Sequence, residues 1–169
     1  MQWCKLFLVL ATCAVVWAEP TASFTIEADY VDYTEQNNYV RASGNVVVVY
    51  KDTLLTAAVT TINMHEEQVQ VAQGFSMDRG NQKIKGEGLV YDMSSKEGVA
   101  TSVDMRLRDQ SIRGKTVTIK NDVIIINDSY ETTCKVTGNH CNHIGAQRLS
   151  IYPEWGDVVH DHAVIYFFN

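Results

Sequence analysis

The chain has 169 residues, 20 acidic against 14 basic, with a formal net charge of −6 at pH 7. That balance disfavours nucleic acid and bare anionic lipid surfaces as partners, because both attract basic proteins. The length suits one domain with a real core, and only two prolines, Pro20 and Pro153, leave no proline-rich linker to divide it.

The N-terminus reads as a secretory signal peptide. Lys5 precedes an apolar run from Leu6 to Ala18, and the polar Glu19-Pro20-Thr21 follows. Val16 and Ala18 stand at the −3 and −1 positions of a cleavage site after Ala18, and the run is short for a membrane span. Leu10-Ala11-Thr12-Cys13 offers a lipoprotein site as the alternative, with Thr12 a poor residue before a lipidated cysteine. Residues 1–18 are therefore expected to leave and 19–169 to form a single domain. Losing Lys5 takes the basic count to 13 against 20 acidic residues, net −7. Cys4 and Cys13 leave too, and Cys134 and Cys141 remain in a compartment that permits disulfides.

From there the chain reads as strands. Asn45-Val46-Val47-Val48-Val49-Tyr50 is apolar on both faces and β-branched. Gln68-Val69-Gln70-Val71 alternates. Val99, Val103, Met105 and Leu107 are expected to face one way, with Asp104, Arg106 and Arg108 opposite. Val117 and Ile119 alternate in the next strand, and after Asp122 the run Val123-Ile124-Ile125-Ile126 is again apolar on both faces. Glu35–Asn38, Met64–Glu67, Arg79-Gly80-Asn81 and Ser94–Gly98 are short polar breaks suited to hairpins.

These pieces recur. A small residue is followed at +3 and +5 by larger ones at Ala28, Ala57, Gly86, Gly114 and Ala146, spaced by 29, 29, 28 and 32 residues. Asn63 and Asp92 recur near the strand ends where Thr34 breaks the pattern, and Gly44 and Gly74 close the first two units. A fixed period of this length predicts stacked units with a shared core.

The pattern resembles the OstA-like family, the LptA and LptD N-terminal family of periplasmic lipopolysaccharide transport and assembly domains. The resemblance rests on Ala28-Asp29-Tyr30-Val31-Asp32-Tyr33 and on Val40-Arg41-Ala42-Ser43-Gly44-Asn45-Val46. Leu55-Thr56-Ala57 through Val69–Gly74 and Gly86-Glu87-Gly88-Leu89-Val90-Tyr91-Asp92 repeat that pair of motifs. Tyr130–Cys134 and Ala146–Pro153 resemble the segment that leads toward the barrel of the assembly protein. No such barrel lies within these 169 residues, which leaves a free-standing module and a shortened assembly protein both open.

The resemblance implies an all-β fold, a twisted V-shaped β-jellyroll of antiparallel strands. It implies no enzyme activity and no cofactor or metal, but transport of lipopolysaccharide or a related lipid across the periplasm to the outer membrane. On pattern alone Val46, Val48, Val69, Val71, Val103, Met105, Leu107, Val117, Ile119, Ile124 and Ile126 would fill a closed core. The resemblance makes them the lining of a lipid groove, where each buried methylene is worth about 0.8 kcal/mol. The apolar terminal segment Val158–Phe168 needs cover. The resemblance implies edge-to-edge pairing with other jellyrolls of a transport bridge, or with a second copy.

Three rival readings are set beside it. Catalysis lacks a nucleophile elbow, a P-loop or a dinucleotide loop, and the pair Asp92 and Asp104 is better read as solvated. An exported metal-binding protein would use Cys134, His140, Cys141 and His143, or His160 with His162 on one strand face. A cysteine spacing of seven positions is wider than a usual zinc pair, so a Cys134–Cys141 disulfide bracing the connection between the fourth and fifth units is the expected arrangement. A carbohydrate-binding β-solenoid would show stacked ladders, and none is apparent.

Overall fold

The computed structural model describes residues 24–34, 38–80, 82–107, 109–134 and 142–167, and their regular structure is entirely β. The strands are β1 (Thr25–Glu27), β2 (Tyr30–Thr34), β3 (Tyr39–Tyr50), β4 (Thr53–Asn63), β5 (Gln68–Val71), β6 (Phe75–Arg79) and β7 (Gln82–Gly86). They continue as β8 (Gly88–Asp92), β9 (Glu97–Leu107), β10 (Gln110–Lys120), β11 (Val123–Thr132), β12 (His143–Tyr152) and β13 (Asp157–Tyr166). All pair antiparallel within one sheet.

That sheet is folded along a crease. β3 pairs with β2 through Tyr39–Ser43 but with β1 through Val47–Val49. β4 divides likewise between β6 and β5, and β9 between β8 and β7. Each long strand therefore lies half in one leaf and half in the other. The front leaf holds β2, β5, β8 and the adjoining halves of β3, β4 and β9–β13. The back leaf holds β1, β6, β7 and the remaining halves. Two leaves joined along one side make the V-shaped jellyroll that the resemblance implied.

The small residues of the sequence period mark this crease. Ala28, Ala57, Gly86, Gly114 and Ala146 each end the back-leaf half of an outgoing strand, one residue before the chain crosses over. They are small because neighbours crowd the fold line: a Cβ on Gly114 would collide with Ile126 Cγ2, and one on Gly86 would come within 2.8 Å of the Thr101 carbonyl. The returning strands cross by a residue in the left-handed region, at Gly44 and Asn45, Gly74, Ser102, Asp128 and His162 (φ 76°, 48°, 61°, 52°, 51° and 52°). Only Gly adopts that conformation without penalty, so Gly44 and Gly74 are legible in the sequence and the later crossings are not.

The crossing also resets which residues face inward. In β9 Ala100 is buried before the crease and Val103 and Met105 after it, and β4, β10, β11 and β12 change parity in the same way. Strict alternation is therefore wrong for Val99. It is 48% exposed on the outer surface, because Ser102 inserts a bend between it and Val103.

The front-leaf turns repeat too. Asn63 Oδ1 accepts from the His65 and Glu66 amides at 3.0 and 3.1 Å. Asp92 Oδ1 accepts from the Ser94 and Ser95 amides, both at 2.9 Å. The recurrent Asn or Asp is thus a turn cap. Asn38, Glu67 and Lys96 close successive turns at φ 53°, 51° and 60°.

Several expectations fall outside the described residues: the signal segment 1–18, parts of the polar breaks at Glu35–Asn38 and Asn81, the facing of Arg108, the end of the apolar segment at Phe168, and Cys141 with His140, hence the Cys134–Cys141 disulfide. His143 is packed between the rings of Tyr130 and Tyr166, each centroid 4.4 Å away. His160 and His162 do not share a face: His160 points inward and His162 sits exposed on the crease. Asp92 and Asp104 lie in different leaves, Asp104 paired with Arg113 at 3.2 Å, so they form no carboxylate pair.

Candidate functional site: the interior between the leaves

The interior is lined by the inward residues of both leaves. Val46, Val48, Val69, Val71, Val103, Met105, Val117, Ile119, Ile124 and Ile126 all face it and are buried. Leu107, at the tip of the back leaf, is half-buried and lines a cleft instead. The structure brings these eleven together and adds Leu55, Ile62, Met77, Ile84, Leu89, Ile112, Leu149 and Ile151, which share the same space. Period-2 reading missed several of these because the parity change at each crease hides them.

At mid-length the leaves pack directly on one another, while at both ends the apolar lining is left bare. Val31 and Tyr33 of β2 stand on the same face as buried Ala42 and Val40, yet are 54% and 53% exposed. Ile165 of β13 shares its face with Ile144 and Glu131 and is 56% exposed; Phe167, next in the alternation, is 77% exposed. The outer edges of β1, β2 and β13 have no strand partner among the described residues.

Opposite the crease, polar groups tie leaf to leaf. The Tyr50 hydroxyl donates to Glu67 Oε2 at 2.9 Å, and Lys96 Nζ lies 3.3 Å from Asp52. Arg79 donates to Asp122 at 3.0 Å and to the Tyr91 hydroxyl at 3.4 Å. Burial by itself would raise the Asp52 carboxyl, but the Lys96 ammonium, a backbone amide and the Arg79 charge hold it below its ordinary value. Burial pushes the Tyr91 phenol up, and Arg79 opposes that only in part.

Deeper, the Glu131 carboxylate is almost fully buried and meets the His160 ring at 2.6 Å, joining β11 to the terminal strand β13. Every buried side-chain nitrogen and oxygen among the described residues has a partner. The described residues contain no group of three or more His, Cys, Asp or Glu able to hold a metal. Among the described residues the interior is aliphatic, and polar groups gather at its mouth.

Residues 25–129 match the family described as LptA/(LptD N-terminal domain) LPS transport protein. A curated relative, an LPS-assembly protein LptD of Idiomarina loihiensis, is 22% identical over 94 residues, 54% of this chain but 12% of that protein. The chain thus spans about an eighth of the length of that relative. Among solved structures, LptH, an LptA-homologous periplasmic component of the lipopolysaccharide transport device of Pseudomonas aeruginosa, superposes with a TM-score of 0.57 at 15% identity. That match covers 82% of this chain and 94% of that one, a likeness of fold.

Proposed function

Since the chain belongs to the LptA/(LptD N-terminal domain) LPS transport protein family, we propose that it carries lipopolysaccharide through the periplasm toward the outer membrane. In this reading it is non-enzymatic: acyl chains lie between the leaves and the saccharide and phosphates stay in water at the mouth. The observation that carries it is the apolar lining left bare at both ends, at Val31 and Tyr33 and at Ile165 and Phe167. A closed core would cover its ends, whereas a conduit must hand its cargo on.

The same ends carry the edges of β1, β2 and β13 that have no strand partner among the described residues. Strand addition there, to another jellyroll or a second copy, would continue both the sheet and its lining. Removing 163–169 is then expected to abolish self-association or partner capture on a sizing column, and unchanged assembly would count against edge pairing. For the cargo, a photo-crosslinking residue at Val71 or Ile119 should yield lipopolysaccharide adducts. Adducts only from the outward, exposed Arg106 would refute an interior path.

A further inference from the structure

Among the described residues, the leaf-to-leaf ties at the mouth are not spread evenly; the Glu131–His160 contact also joins the leaves, but deeper in the interior. Tyr50–Glu67, Asp52–Lys96 and Arg79–Asp122 join successive turns of the two leaves, and among the described residues Arg79–Asp122 is the last of these rim ties. Beyond it, among the described residues, no hydrogen bond or ion pair joins Leu107 or Gln110 of the back leaf to the 153–158 turn of the front leaf.

Two adjoining cavities occupy that gap, of about 250 and 410 Å³, sharing Gln82 and Pro153 on their walls. Together they reach the size of an ordinary ligand site. Their apolar surface is Ile119, Ile124, Ile151, Leu107 and Val158. Ile119, Ile124 and Ile151 belong to the interior core as well, so the cleft is continuous with the groove lining. Among the described residues Arg79 is the cation on its rim, with Asp122 and Glu154 beside it.

We propose that this cleft is a lateral port through which an acyl chain of an anionic amphiphile enters or leaves the groove, with the Arg79–Asp122 pair as its latch. The inference rests on the transport reading. Parting the rim here breaks the contacts of the largely buried Arg79 side chain with Asp122 and with the Tyr91 hydroxyl, and the guanidinium released can take a lipid phosphate or carboxylate in place of Asp122. Along the earlier part of the mouth, separation breaks the Tyr50–Glu67 and Asp52–Lys96 ties as well.

Trp155 stands in the turn that walls the cleft, stacked on Tyr152 with ring centroids 5.8 Å apart. It therefore reports on occupancy. In the full chain carrying Trp3→Phe and Trp17→Phe, Trp155 is the sole tryptophan, and 9,10-dibromostearate is the probe. Saturable quenching is expected. Arg79→Gln should weaken it about tenfold, the loss of one charged hydrogen bond. Asp122→Asn and Glu154→Gln, both at exposed rim positions, should tighten it by removing competing carboxylates.

Equal affinities in Arg79→Gln and Asp122→Asn would overturn the latch. Unquenched Trp155, while a crosslinker at Val71 still captures lipopolysaccharide, would overturn the port and leave the transport reading standing. Absence of both signals would refute the two together.

Discussion

Replacing His160 with Ala should be among the most damaging single changes on the terminal strand. β13 is largely exposed along its length, and its inward side chain His160 reaches across to Glu131, whose side chain is only 6% exposed. Removing the ring strands a buried carboxylate, a defect that costs about 3–5 kcal/mol when the site is dry. The His160 side chain is 19% exposed, so some water reaches the pair and about 2–4 kcal/mol is the reasoned range. For a chain of this size that lowers the melting temperature by roughly 2–4 °C per kcal/mol. Glu131→Gln keeps an acceptor for the ring and should cost only about 1 kcal/mol. The double variant should then be less unstable than the sum, with a coupling of about 1–3 kcal/mol. Urea unfolding of the four proteins measures this, and amide exchange should show β13 losing protection first in His160→Ala. A loss below about 0.5 kcal/mol with additive behaviour would show the pair to be an ordinary surface contact, and the reasoning about β13 would fail.

The crease makes two opposite predictions for stability. Gly114→Ala must displace Ile126 and is expected to cost about 1–3 kcal/mol, whereas Ser102→Gly relieves a left-handed serine and should gain about 0.5 kcal/mol after the backbone entropy of glycine is counted; thermal melts of both variants test the pair together. The Asp92 cap predicts an acid-labile turn. Burial raises its carboxyl, but the Ser95 and Ser94 hydrogen bonds outweigh that and hold it below 3.8. A folded value below the unfolded one stabilises above pH 3.8 and is lost as pH falls through the depressed value. Asp92→Asn, which can cap as Asn63 does, should lose less stability between pH 5 and pH 3 than the parent; equal slopes in acid titrations of unfolding would refute the assignment.

Much of the architecture was legible because it is local. β-branched runs, polar hairpins and the 29-residue interval followed from residue types, and ten of the eleven residues expected to face the interior are inward and buried. Val99 was misread, and Ile112, Leu149 and Ile151 were overlooked, for a common reason: alternation assumes a straight strand, and β4 and β9–β13 change parity at the crease. Ser102, Asp128 and His162 make that turn without the glycine that would have announced it.

The sequence by itself determined the strand content, the repeat, the small residues at the fold line and the family resemblance, since each depends on neighbours within one unit. Only the tertiary structure decided which faces meet and where the mouth is tied. Tyr50 and Glu67, Asp52 and Lys96, and Arg79 and Asp122 lie 17, 44 and 43 positions apart. Contacts at such separations come from stacking one repeat on the next and folding the whole sheet over, and no pattern within a single strand encodes them.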